Sequence, residues 1–133
     1  TELEKDHGLS INDMFNNGES NFRSLESKKL EKMVLKNHIV CATGGGIVEE
    51  DVNHKILNQS FCVYLDTSLD VLHERVKHDC SRPLLLKGDK KDLLRDIFNN
   101  REEKYKSLSK LNINTDNVDI IDSCKTIMEY ISE

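Results

Sequence analysis

Three groups of residues in this chain could handle a small anion. Gly44, Gly45 and Gly46 stand together in "HIVCATGGGIVEE", directly after an apolar run. Glycine loses more conformational freedom on folding than any other residue, so three in succession answer some demand for bare backbone. Two demands qualify: a turn with positive φ, or a loop whose main-chain N–H groups meet a ligand with no Cβ in the way. One such turn rarely needs three glycines, which favours the ligand loop. Arg23 in "NFRSLE" has Glu26 three residues on, the helical spacing at which a carboxylate can hold a guanidinium in one rotamer and aim it. Taken alone, the pair also reads as an ordinary surface ion pair. Arg82 precedes the chain's one proline, Pro83, in "CSRPLLLKGDK", a loop of mobile character from which a side chain could swing over a nucleotide. Arg101 in "NNREEKY", taken alone, reads as part of a solvated helix face.

The elements that must carry these residues alternate. Ser10 stands as an N-cap before Ile11, Met14 and Phe15, which share a helical face. Residues 19–35 put Phe22, Leu25, Leu30, Met33 and Val34 near one face of a second, amphipathic helix. "HIVCA" reads as a buried strand, "EEDVNHKIL" as a weak helix, "FCVYLD" as a strand, and "SLDVLHERVKHD" as a helix capped by Ser68. "KDLLRDIFNNREEKYKSL" is a long amphipathic helix, "LNINT" a short strand, and "IDSCKTIMEYI" a last helix offering Ile121, Ile127, Met128 and Ile131 for burial. The alternation predicts an α/β sandwich with a parallel sheet. Ligands bind such sheets outside the carboxyl ends of the strands, which is where the glycines fall.

Composition narrows the class. The 133 residues fit one domain, 37% hydrophobic and 32% charged. No apolar run is long enough to span a bilayer and none resembles a signal peptide, so a cytoplasmic protein is the default expectation. With 24 acidic against 19 basic residues the net charge is -5, which gives no general attraction to nucleic acid or acidic membranes. Cys41, Cys62, Cys80 and Cys124 form no C-x-x-C pair and read as reduced thiols, the first two as small buried hydrophobes.

Together the motifs resemble those of the shikimate kinases. "ELEKDHGLSINDMF", "GESNFRSLE", "VCATGGGIV", "VYLD", "RVKHDCSRPLL" and "NNREEKY" occur in that family's order and approximate spacing, from about residue 2 to the last helix. The resemblance implies a P-loop-kinase-like three-layer α/β/α sandwich that phosphorylates the 3-hydroxyl of shikimate with ATP and Mg²⁺ in aromatic amino-acid biosynthesis, acting as a monomer. It implies that Arg23 and Arg101 grip the shikimate carboxylate, with Glu26 orienting Arg23. The glycine triplet, Gly45 above all, would meet shikimate and lie near the γ-phosphate. Arg82 would belong to a lid over residues 80–90 and stabilise charge on the transferring phosphoryl group, and Arg75 would pack against adenine.

The departures from that pattern are as specific. No G-x-x-x-x-G-K-[ST] is present to cradle phosphates, and no Asp-x-Asp segment precedes Thr1. The expectation is therefore a domain lacking its N-terminal strand, P-loop and following helix, with apolar faces and strand edges left uncovered and no activity by itself. The family's Asp-Thr near the last strand is here Asn114-Thr115. Two other readings stand beside the first: a non-catalytic shikimate-kinase-like binding module, and a related small-molecule kinase such as a gluconate kinase, against which the paired arginines and the triplet argue.

Overall fold

The computed structural model describes residues 1–132. Helices α1 (Glu2–His7), α2 (Ile11–Asn16) and α3 (Glu19–Met33) follow one another through short turns. Gly8 closes α1 in the left-handed conformation, φ 64°, where a Cβ would be strained. Ser10 caps α2 as its position predicts, its hydroxyl accepting from the Asp13 N–H. Along α3 the buried face holds Phe22 and Leu30 but also Arg23, Glu26 and Ser27, whereas Val34 is exposed. The apolar pattern located the helix and only part of its buried stripe.

After α3 the chain runs without regular structure to a 3-10 helix, Gly45–Val48, and then into α4 (Asp51–Gln59). Residues 38–42 are not the buried strand that their apolar character predicts: they form no ladder, Ile39 and Cys41 are exposed, and Val40 is fully so. A strand exists only through hydrogen bonds to a neighbour, and no described segment lies beside this one to supply them. The sheet among the described residues is a parallel pair, β1 (Val63–Asp66) and β2 (Leu111–Asn114), in register from Val63 opposite Leu111 to Asp66 opposite Asn114.

Helix α5 (Leu69–Val76), a second 3-10 helix (Pro83–Leu85) and α6 (Lys90–Leu108) join the two strands, and α7 (Ile120–Ser132) follows β2. Ser68 stands at the N-cap of α5 without making the side-chain bond expected of it; its own N–H donates to Asp116, at 2.8 Å. On α7 the residues expected to be buried are not. Ile121, Met128 and Ile131 are exposed and Ile127 is half-buried, because the helix rests on the molecule through Ser123 and the Phe61–Tyr130 ring pair, centroids 5.6 Å apart. No helix among the described residues is long and apolar enough to cross a membrane.

The core sits where it can pin the glycines. Ile47 and Val48, the apolar pair just after the triplet, pack with Leu30 of α3, Leu57 of α4 and Leu108 of α6, and Tyr105 and Cys62 lie against them. Asn53 is fully buried and donates from Nδ2 to the carbonyl of Ile47 at 2.9 Å, so this turn is held by packing and by one buried hydrogen bond, while the Asn53 Oδ1 has no partner.

Candidate functional site

The triplet's backbone is unstrained. Among the described glycines positive φ occurs at Gly8 and Gly18 and at none of Gly44, Gly45 and Gly46, so the first of the two demands on the triplet falls away. What the three glycines supply is room. A Cβ on Gly46 would stand 2.1 Å from Nη1 of Arg23 and 2.4 Å from its Cζ. One on Gly45 would stand 2.8 Å from the Tyr105 hydroxyl and 3.7 Å from Nη1 of Arg101, and one on Gly44 3.2 Å from Oε1 of Glu26. Bare backbone here lets two guanidinium groups and a phenol close onto the main chain.

Helix α3 presents Arg23 to this spot. Its guanidinium is buried with Glu26, and Nη1 donates to Glu26 Oε2 at 2.8 Å, so the pair is not the surface contact that spacing alone suggests. Nη2 reaches the exposed Glu19 at a looser 3.4 Å, Nε has no acceptor, and the rings of Phe15 and Phe22 each lie 5.3 Å from Cζ. Such a pair is costly to desolvate and costly to break: removing one partner from a buried pair costs about 3–5 kcal/mol through the charge left behind. Burial pushes the Glu26 carboxyl above its ordinary value, and the hydrogen bond and charge of Arg23 pull against that rise.

Helix α6 presents Arg101 and Tyr105, one turn apart. Arg101 is buried rather than part of a solvated face, and its Nε donates to Oε1 of Glu49. Tyr105 donates to the Gly45 carbonyl at 2.7 Å and stacks on Tyr64 of β1 with centroids 5.0 Å apart, which couples the triplet to the sheet. Burial raises the Tyr105 hydroxyl above its ordinary value, so it remains a donor at neutral pH. Glu49, Asn53 and Tyr105 escaped the sequence reading. Tyr105 carried a usable signal, since its i+4 spacing from Arg101 places both on one helix face; Glu49 carried none, because Arg101 lies 52 residues on, and Asn53 carried none, because its partner is a main-chain carbonyl.

Arg23, Glu26, Gly44, Gly45, Gly46 and Arg101 thus form one group, while the other two predicted residues make their contacts elsewhere. Arg75 on α5 donates to the Thr115 hydroxyl at 3.1 Å and to the Thr115 carbonyl at 2.8 Å, tying the end of α5 to the turn after β2. Thr115 also shares a 2.6 Å hydroxyl contact with Thr67. Arg82 is exposed, at the N-cap of the second 3-10 helix, and donates from Nε to Asp79 at 3.0 Å. Hydrogen bonds from Ser81, with Arg82 beside it, hold the Asp79 carboxyl down at about 2. Among the described residues no cluster of three or more His, Cys, Asp or Glu could hold a metal ion.

The chain as a whole is similar to known proteins. A family model described as shikimate kinase matches residues 1–132. A shikimate kinase of Streptococcus thermophilus is 36% identical over 121 residues, covering 86% of this chain and 74% of that protein. One from Legionella pneumophila is 34% identical across 97% of this chain and 75% of its own length. The chain spans a smaller part, 63%, of a shikimate kinase of Persephonella marina that is 37% identical. Among solved structures, a shikimate kinase of Acinetobacter baumannii in complex with shikimate superposes with a TM-score of 0.93 at 30% identity, over 98% of this chain and 74% of that one. The enzyme of Bacteroides thetaiotaomicron, at 23% identity and TM-score 0.86 over 99% of this chain and 80% of that one, shares the fold. The family model over residues 1–132, with relatives 34% and 36% identical across most of the chain, reaches past the P-loop-kinase fold to the family itself: the chain belongs to the shikimate kinases, small-molecule kinases that use ATP as co-substrate.

Proposed function

We propose that the protein transfers the γ-phosphoryl group of ATP to the 3-hydroxyl of shikimate, with Arg23 and Arg101 holding the substrate's carboxylate between them. The observation that carries this is the convergence of two buried guanidinium groups, each held by its own carboxylate, on adjacent glycines. A planar guanidinium matches a carboxylate with paired hydrogen bonds, and it binds far more strongly where water is excluded. The unpartnered Nε of Arg23 and its loose contact to Glu19 leave that guanidinium short of acceptors. Gly45 meets the substrate through its main chain.

Arg82 would exchange its exposed bond to Asp79 for the transferring phosphoryl oxygens. Arg75, its edge committed to Thr115, would offer the flat face of its guanidinium to adenine. Mg²⁺ bound to ATP would supply neutralisation of phosphate charge.

The test is Arg23→Lys in the product of the complete coding sequence, assayed by coupled ADP release with shikimate and, in parallel, with gluconate. Lysine keeps the charge and loses the fork. The KM for shikimate rises about 10- to 100-fold, the cost of one charge-assisted paired hydrogen bond, while the KM for ATP stays within about twofold. An unchanged KM for shikimate removes Arg23 from the site, and a preference for gluconate replaces the substrate.

A further inference from the structure

Glu26 braces Arg23 from within one helix, and the corresponding brace on Arg101 comes from a different element. We infer that Glu49 is a positioning residue for substrate binding: by accepting the Nε–H of Arg101 it turns that guanidinium's end-on fork, Nη1 and Nη2, toward the glycine triplet. The inference rests on Arg101 acting as a carboxylate ligand in the function proposed above.

The geometry distinguishes a brace from a competitor. A carboxylate seated on Nη1 and Nη2 would occupy the edge that a substrate carboxylate needs, whereas Glu49 Oε1 takes Nε and leaves that edge clear of itself. Nη1 accordingly lies beside Gly45, 3.7 Å from where a Cβ would stand. The second oxygen, Oε2, is 3.5 Å from Nζ of Lys104, three residues along α6, so both oxygens face cations of one helix and the carboxylate is fixed in orientation.

Glu49 also caps the turn that carries the triplet: its N–H donates to the Gly46 carbonyl at 3.0 Å. The brace and the glycines therefore move as one body, with Ile47 and Val48 anchoring that body in the core. At the buried end the Arg101 side chain is 9% exposed; at the other the Glu49 side chain is 31% exposed, open enough to stay hydrated on its far side. Burial raises the Glu49 carboxyl, and the hydrogen bond and charge of Arg101 with the charge of Lys104 outweigh it, so the carboxyl sits below its ordinary value and is ionised when substrate binds.

The experiment is a double-mutant cycle of Glu49→Gln and Arg101→Ala in the product of the complete coding sequence, reading KM for shikimate, KM for ATP and kcat. Glu49→Gln raises the shikimate KM about tenfold, with kcat within about threefold and the ATP KM unchanged, because a misaimed fork weakens binding rather than chemistry. In the Arg101→Ala background the same substitution adds nothing. Should Glu49→Gln not fold, Glu49→Asp, which withdraws the carboxylate by one methylene, carries the same expectation. A shikimate KM raised by Arg101→Ala but untouched at position 49 overturns the inference and leaves the proposed function standing. An effect of Glu49→Gln that persists without Arg101 shows a structural role and overturns it too. An Arg101→Ala variant with unchanged shikimate KM overturns both.

Discussion

A methyl group at position 46 cannot coexist with Arg23 as placed, since 2.1 Å to Nη1 is far inside the roughly 3.5 Å at which such atoms rest. The guanidinium carries no slack: it is wedged between Phe15, Phe22, Glu26 and the turn. Gly46→Ala should therefore displace it, raising the KM for shikimate at least about tenfold while the far side of the molecule keeps its fold. Gly44→Ala should be milder, because its methyl would press at 3.2 Å on one oxygen of Glu26. Steady-state kinetics on the two variants checks the order; equal and small effects would mean that Arg23 does not need its present position. At this scale the pairing of Arg23 with Glu26 was legible from their spacing of three residues in one helix. Their burial was not, because it comes with the glycine triplet arriving from another segment, Gly44 against Glu26 and Gly46 against Arg23.

At the scale of elements the segment of interest is residues 80–90, between α5 and α6. Its centre is less free than its composition suggests: Leu85 is buried, and the second 3-10 helix closes on itself with Leu85 N–H donating to the Arg82 carbonyl at 3.0 Å. Lys90 holds the far end, donating to the carbonyls of Lys77 at 3.0 Å and Asp79 at 2.8 Å at the end of α5. What stands exposed is the approach at residues 80–82 and the exit at 86–89, with Arg82 between half-buried Asp79 and solvent. Amide hydrogen exchange should slow in those two stretches when a nucleotide and shikimate are bound together, and change little around Leu85. Identical exchange with and without the two ligands would make the segment a fixed connection rather than a lid.

At the scale of the whole molecule, phosphoryl transfer depends on positioning and on electrostatic stabilisation of the moving group, supplied in P-loop kinases by the phosphate-cradling loop, its lysine and Mg²⁺. The 133 residues contain no G-x-x-x-x-G-K-[ST]. Losing one well-placed donor costs about 10²- to 10³-fold in rate, and several are missing together. The polypeptide of residues 1–133 by itself should thus release no ADP above background in a coupled assay, beside a shikimate kinase that carries the motif as a positive control. Shikimate- and Mg²⁺-dependent turnover by that polypeptide would require a phosphate site made from residues other than those named here. Ile39, Val40, Leu65 of β1, and Ile120, Ile121, Met128 and Ile131 of α7 stand exposed.

What the sequence determined by itself was whatever is local or carried by a motif. Ser10 ahead of an apolar helical face, the strands "FCVYLD" and "LNINT", the glycine triplet and the ordered motifs of the shikimate kinases could each be read from neighbouring residues, because caps, periodicities and turn chemistry act within a few positions. Tertiary structure alone decided the rest. Residues 38–42 have the composition of a strand but not a partner, and strand formation is a property of the pair. The apolar stripe of α7 is a stripe whether or not anything lies against it. The triplet's freedom from side chains, which sequence ties to a ligand, is used first by Arg23 and Tyr105 of this chain. Glu49 and Arg101, 52 residues apart, meet only because the core brings the 3-10 turn onto α6. Contacts of that separation depend on the closure of the whole chain, and no window of sequence contains them.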